Sequence, residues 1–91
     1  MSGRIVRVDS GDVRLFASQL KEFNTRLAEE SARLTAQFRR LGETWQDPQY
    51  ARFAREFEQT MRNLERFRRY GEEVIPRLLR FADYIDNPPP V

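Results

Sequence analysis

Arginine and carboxylate are the only abundant side chains in this sequence that could do chemistry. Fifteen of its sixteen basic residues are arginine, set against fourteen Asp and Glu, with no histidine and no cysteine. Arginines 55, 62, 66 and 69 fall on one ridge of a helix with Arg68 beside it, an arrangement that could neutralise the phosphates of a nucleic acid. Acidic residues nevertheless stand beside the arginines: Glu22–Arg26, Glu29–Arg33, Glu58–Arg62, Glu65–Arg69 and Glu73–Arg77 are each four apart. Each such pair supports a helix by roughly 0.2–0.5 kcal/mol, and its carboxylate repels phosphate. The ridge reads as a solvated face, with an arginine-rich nucleic-acid-binding protein as the alternative.

Catalysis has less to work with. The absence of histidine removes the commonest general base and metal ligand. The absence of cysteine removes the thiolate and any disulfide framework. Glu72 and Glu73 are adjacent, so they sit about 100° apart around a helix and do not converge. Phosphate-cradling glycine loops and activated-nucleophile signatures are missing. These residues predict a non-enzymatic protein that uses no metal and no cofactor.

What must position the side chains is a pair of helices. Ninety-one residues allow a single domain near the lower limit for a self-sufficient core. Purely apolar runs reach two or three residues, far below the roughly 20 that a membrane span needs. With no hydrophobic signal core at its start, the chain is expected to be cytoplasmic, or exported by a non-classical route.

A short extended arm is expected over 1–9, where Ile5, Val6 and Val8 lie among charges. Asp9 suits an N-cap, Asp12 the third helical position, and Val8 and Val13 have the spacing of a hydrophobic staple. Helix 1 is expected over 10–41, with a leucine row at Val13, Leu20, Leu27, Leu34 and Leu41. Beside it run Phe16 and Phe23, then Phe38 and Trp45. Gly42 reads as a left-handed stop, and 42–47 as the turn. Asp47-Pro48 is an N-cap followed by a first-turn proline, opening helix 2 over 48–86. Its rows are Tyr50, Phe57, Leu64, Gly71, Leu78, Ile85 and Phe53, Thr60, Phe67, Val74, Phe81. Pro76, close after Gly71, predicts a kink or break near 71–76. The prolines at 88–90 end the helix and leave a tail over 87–91.

Two long helices joined by a short connector form an antiparallel hairpin, an all-α fold. The core is expected at Leu20, Leu27, Leu34, Phe38, Phe53, Phe57, Leu64 and Phe67. A two-helix seam is too narrow for seven phenylalanines, three tyrosines and a tryptophan, and a contiguous apolar patch marks an interface. The candidate partner-binding residues are Trp45, Tyr50, Phe53, Phe57, Met61, Leu64, Ile75 and Phe81. Pairing with another helical hairpin, as a homodimer or a heterodimer, would bury the remaining surface in a four-helix bundle. A coiled-coil subunit of a larger assembly is a further alternative.

The segment Trp45-Gln46-Asp47-Pro48-Gln49-Tyr50 at the bend resembles the WXG-type, early-secreted-antigen-like hairpin proteins of bacterial type VII secretion. The likeness covers the whole chain in length, layout and turn position. It implies a helix–turn–helix that dimerises into a four-helix bundle and serves as a substrate, co-substrate or adaptor of that secretion system. It also places the tryptophan near a cleft at the bundle end. Two departures stand out. The motif glycine is Asp47 here, and the family's Tyr-x-x-x-Asp/Glu export signal is missing: Val74 follows Tyr70 by four residues, and Pro88 follows Tyr84.

Overall fold

A computed structural model describes residues 7–90, so most of the expected N-terminal arm, with Val91, lies outside the described residues. Asp9 starts the first helix. Its backbone is extended, and its carboxylate accepts from the amides of Gly11 (2.7 Å) and Asp12 (3.3 Å), two of the donors that a helix start leaves orphaned. The resulting helix, α1, spans Ser10–Thr44. Asp47 repeats the device for α2, Pro48–Asp86, accepting from the Gln49 amide at 2.7 Å.

Gly42 does not stop α1. The helix continues two residues further, and no described residue has positive φ. Position 42 instead gives room to Tyr50: a Cβ there would stand 2.3 Å from the Tyr50 hydroxyl oxygen and 2.9 Å from its ring carbon Cζ, so the ring would have to shift. α2 runs without a break through Gly71 and Pro76. Proline cannot donate to the Glu72 carbonyl, but both residues are exposed, so water can take the missing hydrogen bond.

The two helices pack side by side as an antiparallel hairpin measuring 67 × 28 × 17 Å. On α2 the seam contains the heptad row Tyr50, Phe57, Leu64, Gly71, Leu78 and Ile85, with Ala54, Met61, Ile75 and Ala82 beside it. On α1 it contains Ser10, Ala17, Asn24, Ser31, Phe38 and Trp45, also seven apart, flanked by Val13, Leu20 and Leu27. The fully buried residues are small: Ala17, Ala82, Gly71 and Asn24. Small side chains let the backbones approach, and larger ones straddle the contact line.

That choice corrects the expected core. Of the expected core, Leu34, Phe53 and Phe67 are exposed; Phe16, Phe23 and Leu41 of the α1 rows and Phe81 of α2 are exposed as well. For Phe16 and Phe23 the reason lies in how their row continues. Extending Phe16 and Phe23 by heptads would bring Glu30 and Gln37 into the seam, and a buried unpaired carboxylate is costly. The row from Ser10 to Trp45 carries no charge at all. Of the expected core, Leu20, Leu27, Phe38, Phe57 and Leu64 do face the seam, each half-buried.

Candidate interaction surfaces

Aromatic rings gather at the closed end of the hairpin. Phe38 is their hub, stacked on Phe57 (4.3 Å between centroids) and Tyr50 (5.5 Å) and edge-on to Phe53 (5.9 Å). Trp45 caps the cluster against Tyr50 (5.5 Å) and Phe53 (5.9 Å). These rings come from the last turns of α1 and the first turns of α2, so the short connector brings them together.

Asp47 ties this cluster to the turn. One carboxylate oxygen caps α2, and the other accepts from the Trp45 indole Nε1 at 2.9 Å. The indole bond, followed by the Gln49 amide, holds the Asp47 carboxyl below the usual carboxylate range. Asp47→Ala is expected to lower the thermal midpoint and free the indole, which Trp45 fluorescence would report. Asp47→Gly is expected to cost less than Asp47→Ala, because glycine is tolerated at an N-cap and alanine is not. Equal losses in the two variants would show that the cap contributes nothing.

The expected partner-binding residues divide between two environments. Tyr50, Phe57, Met61, Leu64 and Ile75 are half-buried along the seam, as is Trp45 at its end. Phe53 and Phe81 face solvent. They belong to an exposed flank, of which Phe53 and Phe67 had been expected in the core. In it Phe23 of α1 meets Phe67 of α2 edge-on at 5.7 Å, although the two remain 52% and 44% exposed. Phe16, Tyr70 and Tyr84 are also exposed large rings.

The open end carries a polar clamp that sequence spacing could not reveal, because its members lie about seventy residues apart. The Ser10 hydroxyl donates to Asp86 at 2.6 Å, and Arg14 donates to both Asp83 (2.9 Å) and Asp86 (2.8 Å). The Ser10 bond, then Arg14, lowers the Asp86 pKa. Hydrogen bonds to Asp83 and Asp86 raise that of Arg14.

The arginine ridge is partly neutralised within α2. Arg68 pairs with Glu65 (2.9 Å) and Glu72 (3.1 Å), and Arg69 with Glu65 (3.2 Å). Arg68, then Arg69, pulls the Glu65 carboxyl down to about 2. Arg26 pairs with Glu22 as spaced, whereas Arg33 takes Glu30 and Arg62 takes Gln59. Among the described residues no helix is long and apolar enough to cross a membrane.

The sequence profile of the WXG100 family, described as proteins of 100 residues with WXG, matches residues 5–83. The chain belongs to the WXG100 family. Two crystal structures share its fold, both of single-residue mutants of EsxB, a secreted protein from Bacillus anthracis str. Sterne. A glycine-to-alanine mutant aligns with a TM-score of 0.72 at 20% identity, covering 96% of this chain and 100% of that one. A glutamate-to-glutamine mutant aligns at 0.67 and 19% identity, covering 97% and 100%. No curated protein matches the sequence. In this WXG100 protein Asp47 occupies the motif's glycine position with φ −121° and ψ 166°, extended backbone that any residue adopts. The bend therefore needs no glycine there, and the carboxylate adds a cap and an indole acceptor that glycine could not supply.

Proposed function

We propose that this WXG100 chain is a non-enzymatic association factor of a type VII-like secretion route, working as a substrate, co-substrate or adaptor. On this reading its aromatic flank is covered by another helical hairpin. The observation that carries the reading is the Phe23–Phe67 pair, a ring contact bridging the helices that stays about half exposed. Rings in such a patch contribute to an interface through their apolar area and their edge-to-face geometry. Trp45 and Phe53 extend the surface at the closed end, and Phe81 at the open end. On this reading the second chain supplies the export determinant and this chain travels with it.

The test is export and co-purification from a bacterium that encodes the chain. The tagged protein is expected in the medium together with a second helical chain of about a hundred residues. Phe23→Glu combined with Phe67→Glu is expected to reduce both signals at least tenfold while circular dichroism stays helical. Undiminished export of that variant would overturn the role of the flank. Failure to find the native chain outside the cell would overturn the reading of it as an exported passenger.

A further inference from the structure

The outward face of α2 concentrates the positive charge of the chain. Arg52, Arg55, Gln59, Arg62, Arg66 and Arg69 follow one another at alternating three- and four-residue steps. Such steps make one stripe along about five turns of the helix, roughly 26 Å long. All six residues are exposed, on the side of α2 turned away from the seam row of Tyr50, Phe57, Leu64 and Gly71. From Arg52 to Arg69 six arginines stand against three glutamates, a larger excess than the +2 of the whole chain.

Little of the stripe is neutralised from within. Arg69 holds Glu65 at 3.2 Å, and Arg62 turns to the neutral Gln59 at 2.9 Å. Arg52, Arg55 and Arg66 make no ion pair among the described residues. The outer face of α1 differs, since Arg26 there pairs with Glu22 and Arg33 with Glu30.

A second row decides what kind of anion fits. Glu58, Glu65 and Glu72 repeat every seven residues directly beside Arg55, Arg62 and Arg69, which have the same period. Arg68 holds Glu65 (2.9 Å) and Glu72 (3.1 Å) in that line. Rows seven apart stay nearly straight along a helix, with levels about 10 Å apart, and flanking charges in this pattern are how one helix selects another. A nucleic acid or an anionic lipid surface presents negative charge alone and is repelled by the glutamate row. A helix can present both signs, carboxylates to the arginines and a lysine to Glu58.

We propose that the outward face of α2 docks an acidic helix of a second protein, one whose carboxylates repeat every seven residues. Exposed ion pairs contribute little one at a time, so the contact requires several levels to engage together and is reversible and salt-sensitive. The stripe lies away from both the seam and the aromatic flank, so this docking is independent of the covering hairpin in the proposed function.

The probe is a dye-labelled synthetic helix of four heptads, with two glutamates in each and one lysine placed to face Glu58. Fluorescence anisotropy follows its binding to the native hairpin. Saturable binding is expected, weakened at least about tenfold between roughly 50 and 200 mM salt. Combining Arg52→Gln, Arg55→Gln and Arg66→Gln is expected to weaken it at least tenfold with circular dichroism unchanged, because no ion pair is removed. Arg55→Glu with Arg62→Glu is expected to abolish it, and a peptide carrying lysine in place of glutamate to restore it, which also shows that the variant is folded. Phe23→Glu with Phe67→Glu is expected to bind as the native chain does, so failure of the flank reading and failure of this one are distinguishable. An absence of binding would overturn the proposal. So would equal binding of a scrambled peptide of the same composition, which would leave charge without register. Tighter binding of an RNA oligonucleotide or of phosphatidylglycerol vesicles would overturn it too, assigning the stripe to phosphate.

Discussion

Gly71→Val is expected to destabilise the hairpin by about 3 kcal/mol, at the upper end of the usual cost of overpacking. Gly71 is buried mid-helix, and a Cβ there would stand 2.2 Å from Asn24 Nδ2 and 3.2 Å from its Cγ. The end of a flexible side chain could normally swing aside. Asn24 is held by its bond to the Arg68 carbonyl and is only 6% exposed, so the backbones must separate or the bond must break. Valine adds a branched side chain whose rotamer is restricted in a helix. Gly71→Ala is expected to lose less, because alanine recovers roughly 1 kcal/mol of helix propensity.

The decisive comparison is the pair Asn24→Ala with Gly71→Ala. It removes the clash together with Asn24 Oδ1, which is buried without a hydrogen-bond partner. The double variant is expected to be at least as stable as the native hairpin, whereas Gly71→Ala alone is not. Urea unfolding followed by circular dichroism measures all four corners of the cycle. A stabilising Gly71→Ala by itself would show that Asn24 is free to move and that the position does not require glycine.

Phe38→Ala is expected to have an effect of similar size at the other end of the molecule. Phe38 touches three rings, at 4.3, 5.5 and 5.9 Å, and removing a core phenylalanine costs about 3–5 kcal/mol. Phe38 is half-buried, so a loss of about 2–3 kcal/mol is expected on that scale. Trp45 fluorescence should shift at the same time, since Trp45 rests on Tyr50 and Phe53, the rings that Phe38 supports. Phe67→Ala on the flank provides the control. Its ring is 44% exposed and meets only Phe23 among the aromatic contacts, so its loss should fall below that of Phe38→Ala. Comparable losses would mean that the flank, and not the closed end, holds the helices together.

The helical hairpin was readable from punctuation. Asp9 and Asp47 carry the side-chain chemistry of an N-cap, Pro48 suits a first helical turn, and the prolines at 88–90 follow the end of α2. The row Tyr50, Phe57, Leu64, Gly71, Leu78, Ile85 was readable as one of two uncharged rows of α2 and is the α2 side of the seam, whereas Phe53, Phe67 and Phe81 of the other row are exposed. The α1 side was misread. A leucine row and a pair of phenylalanines outweighed Ser10, Ala17, Asn24 and Ser31, although these form a heptad row of small uncharged residues that leads to Phe38 and Trp45. Gly42 was misread for a similar reason: its value is the absence of a side chain beside Tyr50, and nothing local in the sequence points to that ring.

The sequence by itself thus pointed to where each helix begins and where α2 ends, though not to the end of α1, and to two helices that fold back on each other with aromatic area left over. Those properties depend on caps, turns and periodicity, which act over a few residues. Only the tertiary structure decided which faces meet. That choice depends on how closely two backbones approach, and so on small residues such as Ala17, Asn24, Gly71 and Ala82, which carry almost no hydrophobic signal. It also revealed the Ser10–Arg14–Asp83–Asp86 clamp, because this joins residues that are far apart along the chain and become neighbours only when α2 returns along α1.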